Sequence, residues 1–157
     1  EVKVASVGLK GIGMVATVAN DHLPETEAWL MNSMAALLAG RTAEIVVLGE
    51  ALAGAGGALE SDLARATDMA LAAETRLGFS KHRPLLYRSL GVATNALGLD
   101  HQLARRVNER LLAAEAIARR LIEEHCDVHI EIAERLRSAG ILSGDELREM
   151  IDKARTP

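Results

Sequence analysis

Between Trp29 and Leu38 the apolar side chains Trp29, Leu30, Met34, Leu37 and Leu38, with Ser33 among them, recur at intervals of three and four residues. That spacing puts them on one face of an α-helix and commits the segment to packing that face against other helices. The rest of the chain extends the constraint. Alanine and leucine dominate the 157 residues, and Trp29, Phe79 and Tyr87 are the only aromatic residues. A chain of this composition is expected to be mainly α, with helices packed through small and aliphatic side chains.

Further helices follow from local signals. Ser61 reads as an N-cap with Asp62 in the first turn, and Leu63, Ala66, Thr67, Ala70 and Leu71 then share a face. Gly78 reads as the stop after that helix. From His101 to Ala139 the pattern is helical, with an apolar stripe through Leu111, Ala114, Ala118, Leu121 and Ile122, then Ile132, Ala133 and Leu136. A break is expected near His125. Ser143-Gly144-Asp145-Glu146 is a capping box for a final short helix. The pattern predicts helices over 26–39, 61–77, 101–124, 127–139 and 144–153, with Gly40 interrupting the first.

The start of the chain is different. Val2 to Val7 alternates, Gly11-Ile12-Gly13 offers a turn, and Met14 to Ala19 is apolar with threonine interposed. These runs predict a small β-hairpin, which needs helices or further strands against it to be stable. Residues 80–95 contain Pro84 and Gly91 and read as a loop with at most one short strand.

Charge and cysteine content narrow the function. The formal net charge is −4, and the basic residues are interspersed with acidic ones. Clustered Lys and Arg are what nucleic-acid affinity rests on, so a nucleic-acid partner is not expected. Cys126 is the sole cysteine, which suits a reducing compartment. No apolar run in the sequence reads as long enough to span a bilayer, and no signal peptide is recognisable. Glu1 lies directly in a strand-like run and reads as a cut end. The glycine-rich loop Ala51–Leu59 has no lysine, so it is not a nucleotide-binding P-loop.

Three groups of residues could carry chemistry. Asp62 is a carboxylate held at a helix start, which could serve a metal or simply favour the helix N-terminus electrostatically. Arg41 and Glu44 sit in the turn Gly40-Arg41-Thr42-Ala43-Glu44. They could pack beside a site or form an ordinary ion pair at a helix end. His125 and His129 have the four-residue spacing that lets two imidazoles share a zinc. Cys126, however, stands where a metalloprotease would need its general-base glutamate, so these are expected to be ordinary helix residues. His22, His82 and His101 have no paired ligand spacing.

The order of these segments resembles the peptidase domain of the FtsH-type ATP-dependent zinc proteases. The resemblance rests on an apolar helix running into GRTAE (40–44), a glycine-rich loop, Ser61-Asp62-Leu63-Ala64-Arg65-Ala66-Thr67, the turn Gly78–Ser80 followed by Arg83-Pro84-Leu85-Leu86-Tyr87, and two C-terminal helices. It covers nearly the whole chain and implies one peptidase domain, partial, over 1–157. It assigns Asp62 as the third zinc ligand and places Arg41 and Glu44 behind the metal site. In that family the other two ligands belong to an HExxH helix. No HExxH occurs in this sequence, and the resemblance places it immediately upstream of Glu1. Ala58 and Leu59 also replace the glycine and alanine usual before the aspartate. The resemblance further implies protein substrates, a homo-oligomer (a hexamer), and zinc in the complete site. ATP and magnesium would belong to a separate ATPase domain, and a membrane would be reached only through other parts of a parent anchored to the inner membrane, with this domain facing the cytoplasm. By itself the chain is expected to be inactive. The alternative is a degenerate, non-catalytic domain serving oligomerisation or partner binding.

Overall fold

The structure is a computed structural model that describes residues 2–7, 13–17, 25–88, 97–98 and 100–155. The chain divides into two compact units, one of residues 24–123 and one built from both ends, 1–23 and 124–157.

The continuous unit is helical. Helix α1 spans Glu27–Leu48, a 3-10 turn covers Ala53–Ala55, α2 spans Asp62–Thr75 and α3 spans His101–Glu124, of which the residues to Glu123 belong here. Thr26 caps α1, its hydroxyl accepting from Trp29 N at 3.1 Å. The core interleaves Leu30, Met34, Ala35 and Leu38 of α1 with Ala66, Ala70, Leu71 and Ala73 of α2 and Leu103, Val107, Ala114 and Ala118 of α3. Alanines recur at the contact positions of α2 and α3, so the helices approach closely without aromatic filling. Burying each Leu or Met here contributes about 1.5–3 kcal/mol. On α3 the stripe differs from expectation at one point, since Leu121 is exposed.

Helix α1 corrects the sequence reading at Gly40. The helix runs through it and ends at Leu48, where Gly49 takes φ 85° and donates its N–H to the Ile45 carbonyl. A glycine inside a helix costs about 1 kcal/mol. Here Leu38 and Thr42 are buried on either side of it, and that packing outweighs the propensity. The extension has a second consequence. At 22 residues, with an 18-residue stretch of mean hydropathy 1.2, α1 reaches the length and composition of a membrane-crossing helix, contrary to the expectation above. Its inward face is nevertheless the core of the helical unit, and core helices meet the same two criteria.

Helix α2 begins as expected but stops at Thr75, two residues early. Arg76 ends the ladder and Gly78 then takes φ 77°. A Cβ at Gly78 would lie 3.3 Å from the Pro84 carbonyl oxygen, so the following loop folds back across this glycine. Of the loop expected over 80–95, residues 89–95 lie outside the described residues.

The second unit combines β1 (Val2–Val7), β2 (Gly13–Thr17), α4 (Cys126–Ala139), β3 (Ile141–Ser143) and α5 (Gly144–Arg155). Strands β1 and β2 pair antiparallel, with Ala5 opposite Val15. The expected turn at 11–13 falls mostly outside the described residues, as do 18–19 and His22. The sheet gains an unexpected strand. β3 pairs antiparallel with β1, Ala5 opposite Leu142, giving the order β2-β1-β3. Three residues are too few for a periodic signal, but β3 meets the need of the hairpin for a further strand. Gly140, at φ 76°, turns α4 into β3, and the capping box then starts α5. Ser143 Oγ accepts from Glu146 N at 3.2 Å while Glu146 Oε2 accepts from Ser143 N at 2.8 Å. The break expected near His125 is present, since α3 ends at Glu124 and α4 starts at Cys126.

Candidate metal-ligand site around Asp62

Ser61 has extended backbone geometry, and its hydroxyl accepts from Ala64 N at 3.3 Å. That cap fixes the first turn of α2, so Asp62 is the first helical residue and its carboxylate sits at the positive end of the helix. The side chain is 54% exposed, and its ion pair with Arg65 is loose, at 3.6 Å. An exposed pair of this kind is worth at most about 1 kcal/mol, so it does not commit the carboxylate. Asp62 is thus held by backbone geometry and remains accessible.

The loop before Asp62 is fastened at its far end. Glu44, in the last turns of α1, accepts from Leu52 N at 2.9 Å through Oε2. Gly57 takes φ 91°, a conformation that suits glycine. Between this loop and α2 lies a groove of about 540 Å³ lined chiefly by Gly56, Leu59, Leu63, Thr67, Leu71 and Leu97. It is mainly apolar and borders the first turn of α2.

Arg41 does not join this arrangement. Its guanidinium donates to Glu115 of α3 at 2.6 Å, tying α1 to α3. Of the two residues expected behind Asp62, Glu44 therefore acts on the loop that leads to it and Arg41 on helix packing. His125 and His129 are exposed and Cys126 is half-buried. Among the described residues no three His, Cys, Asp or Glu side chains converge as a metal site. Zinc requires at least three protein ligands, so the described residues do not by themselves fit the ion; Asp62 can supply one position.

A second cluster escaped the sequence reading. Glu74, at the end of α2, accepts from Arg110 at 2.9 Å, from Arg106 at 3.3 Å and from Ser80 Oγ at 3.0 Å. Arg110 also donates to Glu27 of α1 at 2.6 Å and to the Phe79 carbonyl at 2.9 Å. Burial alone would lower the Arg110 pKa, but the hydrogen bonds it donates to Glu27 and Glu74 outweigh it, and the pKa of the guanidinium is raised above its ordinary value. The available signal was an acid, Glu74, directly beside the buried Ala70, Leu71 and Ala73 of α2.

Comparison with known proteins matches residues 7–150 to Peptidase family M41. The chain belongs to this family. It is a peptidase-domain sequence of the FtsH zinc-metalloprotease type, as the order of GRTAE and SDLARAT implied. Among M41 relatives, the ATP-dependent zinc metalloprotease FtsH 4 of Synechocystis sp. is 28% identical over 99% of this chain. FtsH 2 of Sorangium cellulosum is 30% identical over 96%, and FtsH 2 of Sphaerobacter thermophilus 29% identical over 99%. The chain spans only 27%, 28% and 24% of the length of these three relatives.

Proposed function

We propose that this chain is a peptidase domain over 1–157 of an ATP-dependent zinc endopeptidase and that Asp62 is its carboxylate zinc ligand. The observation that carries this reading is the placement of Asp62. It lies within the SDLARAT segment of a family match, is fixed by the Ser61 cap, and keeps its carboxylate accessible on the helical turn whose Ser61, Leu63 and Ala64 line an apolar groove. The remaining ligands would be the histidines of an HExxH helix, which is not in this sequence. Glu44 acts through the loop it fastens and Arg41 through the α1–α3 contact. The substrates are polypeptides, and the parent is a homo-oligomer, a hexamer by family resemblance. ATP, magnesium and the inner-membrane anchor belong to other parts of the parent.

In the full-length parent, Asp62→Ala should abolish casein degradation and lower the bound zinc while leaving ATP hydrolysis largely intact. Near-normal zinc content and proteolysis in that variant would reduce Asp62 to a helix-end charge. The alternative is a degenerate, non-catalytic domain serving oligomerisation or partner binding, which rests only on the missing HExxH. A parent that binds no zinc would establish it.

A further inference from the structure

The loop after α2 holds apolar side chains out in water on a braced frame. Leu85 is 99% exposed, Tyr87 70% and Leu86 46%. Arg83 to Leu86 form a turn, with Leu86 N donating to the Arg83 carbonyl at 3.2 Å and Pro84 in the position that proline favours. The base of the loop is secured on both sides. Arg88 N donates to the Thr75 carbonyl at 2.7 Å, Arg88 pairs with Asp100 at 3.2 Å, and Ser80 Oγ donates to the buried Glu74. Gly78 lets the loop cross under Pro84. Such bracing removes the ordering cost that a floppy loop would meet on binding.

The charge of the same stretch is one-sided. From Thr75 to Leu99 there is neither Asp nor Glu, whereas Arg76, Lys81, Arg83 and Arg88 are basic, in a protein of net charge −4. Leucines and a tyrosine bordered by arginines form an apolar strip with a cationic rim. Tyrosine and arginine are also the side chains that most often dominate interface energy. An anionic lipid surface is the weaker match, because lipid recognition reads as clusters of about 4–8 Lys/Arg. Here two of the four cations are already matched by acids, Arg88 by Asp100 and Lys81 in a groove with Glu74 and Glu109, which leaves Arg76 and Arg83 as the exposed cationic rim.

We propose that the Lys81–Tyr87 loop is a docking surface for an extended polypeptide segment in which apolar residues are interspersed with Asp or Glu. That the polypeptide is a substrate rests on the peptidase reading above. Asp62 and this loop lie at opposite ends of the 14-residue α2, about 20 Å apart along its axis. A peptide held on Leu85 and Tyr87 therefore engages well away from the Asp62 carboxylate.

The test needs neither zinc nor activity. Fluorescence anisotropy of this chain with a short fluorescein-labelled peptide of leucine, phenylalanine and glutamate should show saturable binding. It should weaken by about tenfold or more in Leu85→Ser/Leu86→Ser, as expected for losing two apolar contacts, and in Arg83→Glu. Circular dichroism should report unchanged helix content, since these side chains are exposed. Asp62→Ala should bind the peptide as the parent chain does, so failure of the metal-site reading leaves this measurement intact. Equal binding of a lysine-for-glutamate peptide would overturn the proposal. So would indifference to the loop substitutions, or binding to phosphatidylglycerol vesicles but not to the peptide.

Discussion

Arg110 and Glu74 meet at 2.9 Å with side chains only 9% and 6% exposed. The pair joins the middle of α3 to the end of α2, and Glu27 adds the start of α1 on the other side of the guanidinium. One residue on each of three helices is thereby held around one charge.

Removing Arg110 should be costly, because it leaves the largely buried Glu74 with only Arg106 at 3.3 Å and the Ser80 hydroxyl to answer its charge. Arg110→Ala is expected to lower the unfolding free energy by about 1–3 kcal/mol. Urea denaturation at neutral pH followed by circular dichroism measures it. A loss below about 1 kcal/mol would show that water reaches Glu74 and replaces the pair.

Asp62→Ala should behave in the opposite way. Its carboxylate is exposed and only loosely paired, so the variant loses little more than a helix-end interaction, about 0.3–1 kcal/mol. Ser61→Ala, which removes the cap itself, should cost about 1 kcal/mol. A melting series of both variants checks the order. If Asp62→Ala were the more damaging, the carboxylate would be bearing packing or hydrogen bonds absent from this structure.

Much of this arrangement was legible in the sequence, and the exceptions share a cause. The Ser61 cap, the Ser143–Glu146 box and the break at His125 depend on residues within a few positions of each other. Their chemistry is complete in the local sequence. Glu74 with Arg110, Arg41 with Glu115 and β3 with β1 are pairings between distant segments, which no local period encodes. Gly40 misled for a related reason: its propensity is local, while the burial of Leu38 and Thr42 that overrides it comes from other helices. The site divides in the same way. The position of Asp62 was readable from its motif, but the separate attachments of Arg41 and Glu44 were visible only once the helices were assembled.

Glu44→Ala should release the loop before Asp62. The Leu52 N–H loses its acceptor, so its amide should exchange with deuterium faster, while amides in the middle of α1 keep their rates. Stability should fall by about 0.5–1.5 kcal/mol, the usual net worth of one hydrogen bond. Unchanged exchange at Leu52 would mean that the loop is held by something other than Glu44.

Acid should act on the start of α3. Asp100 accepts from Leu103 N at 2.9 Å, and this bond, followed by that to Arg88, holds its pKa below the ordinary carboxylate value. A depressed folded-state pKa contributes stability that is fully present above the unfolded value, about 3.9, and is lost as pH falls through the lower folded value. Asp100→Asn keeps a capping oxygen but removes the charge. It should be less stable than the parent chain at neutral pH, and the difference should close as the solution is acidified below pH ~4. A constant difference across that range would show that the charge plays no part.

The central strand β1 belongs to the beginning of the sequence and its neighbour β3 to the far end, with the whole helical unit emerging between them. Synthesis therefore imposes an order of assembly. The segment 24–123 is contiguous and can collapse on its own helices as soon as it leaves the ribosome. Over the same interval β1 has only β2 beside it, and its other edge shows unpaired N–H and C=O groups, the usual template for wrong partners. That edge closes only when Ile141–Ser143 arrives, so the vulnerable interval runs from the emergence of β1 to that of β3.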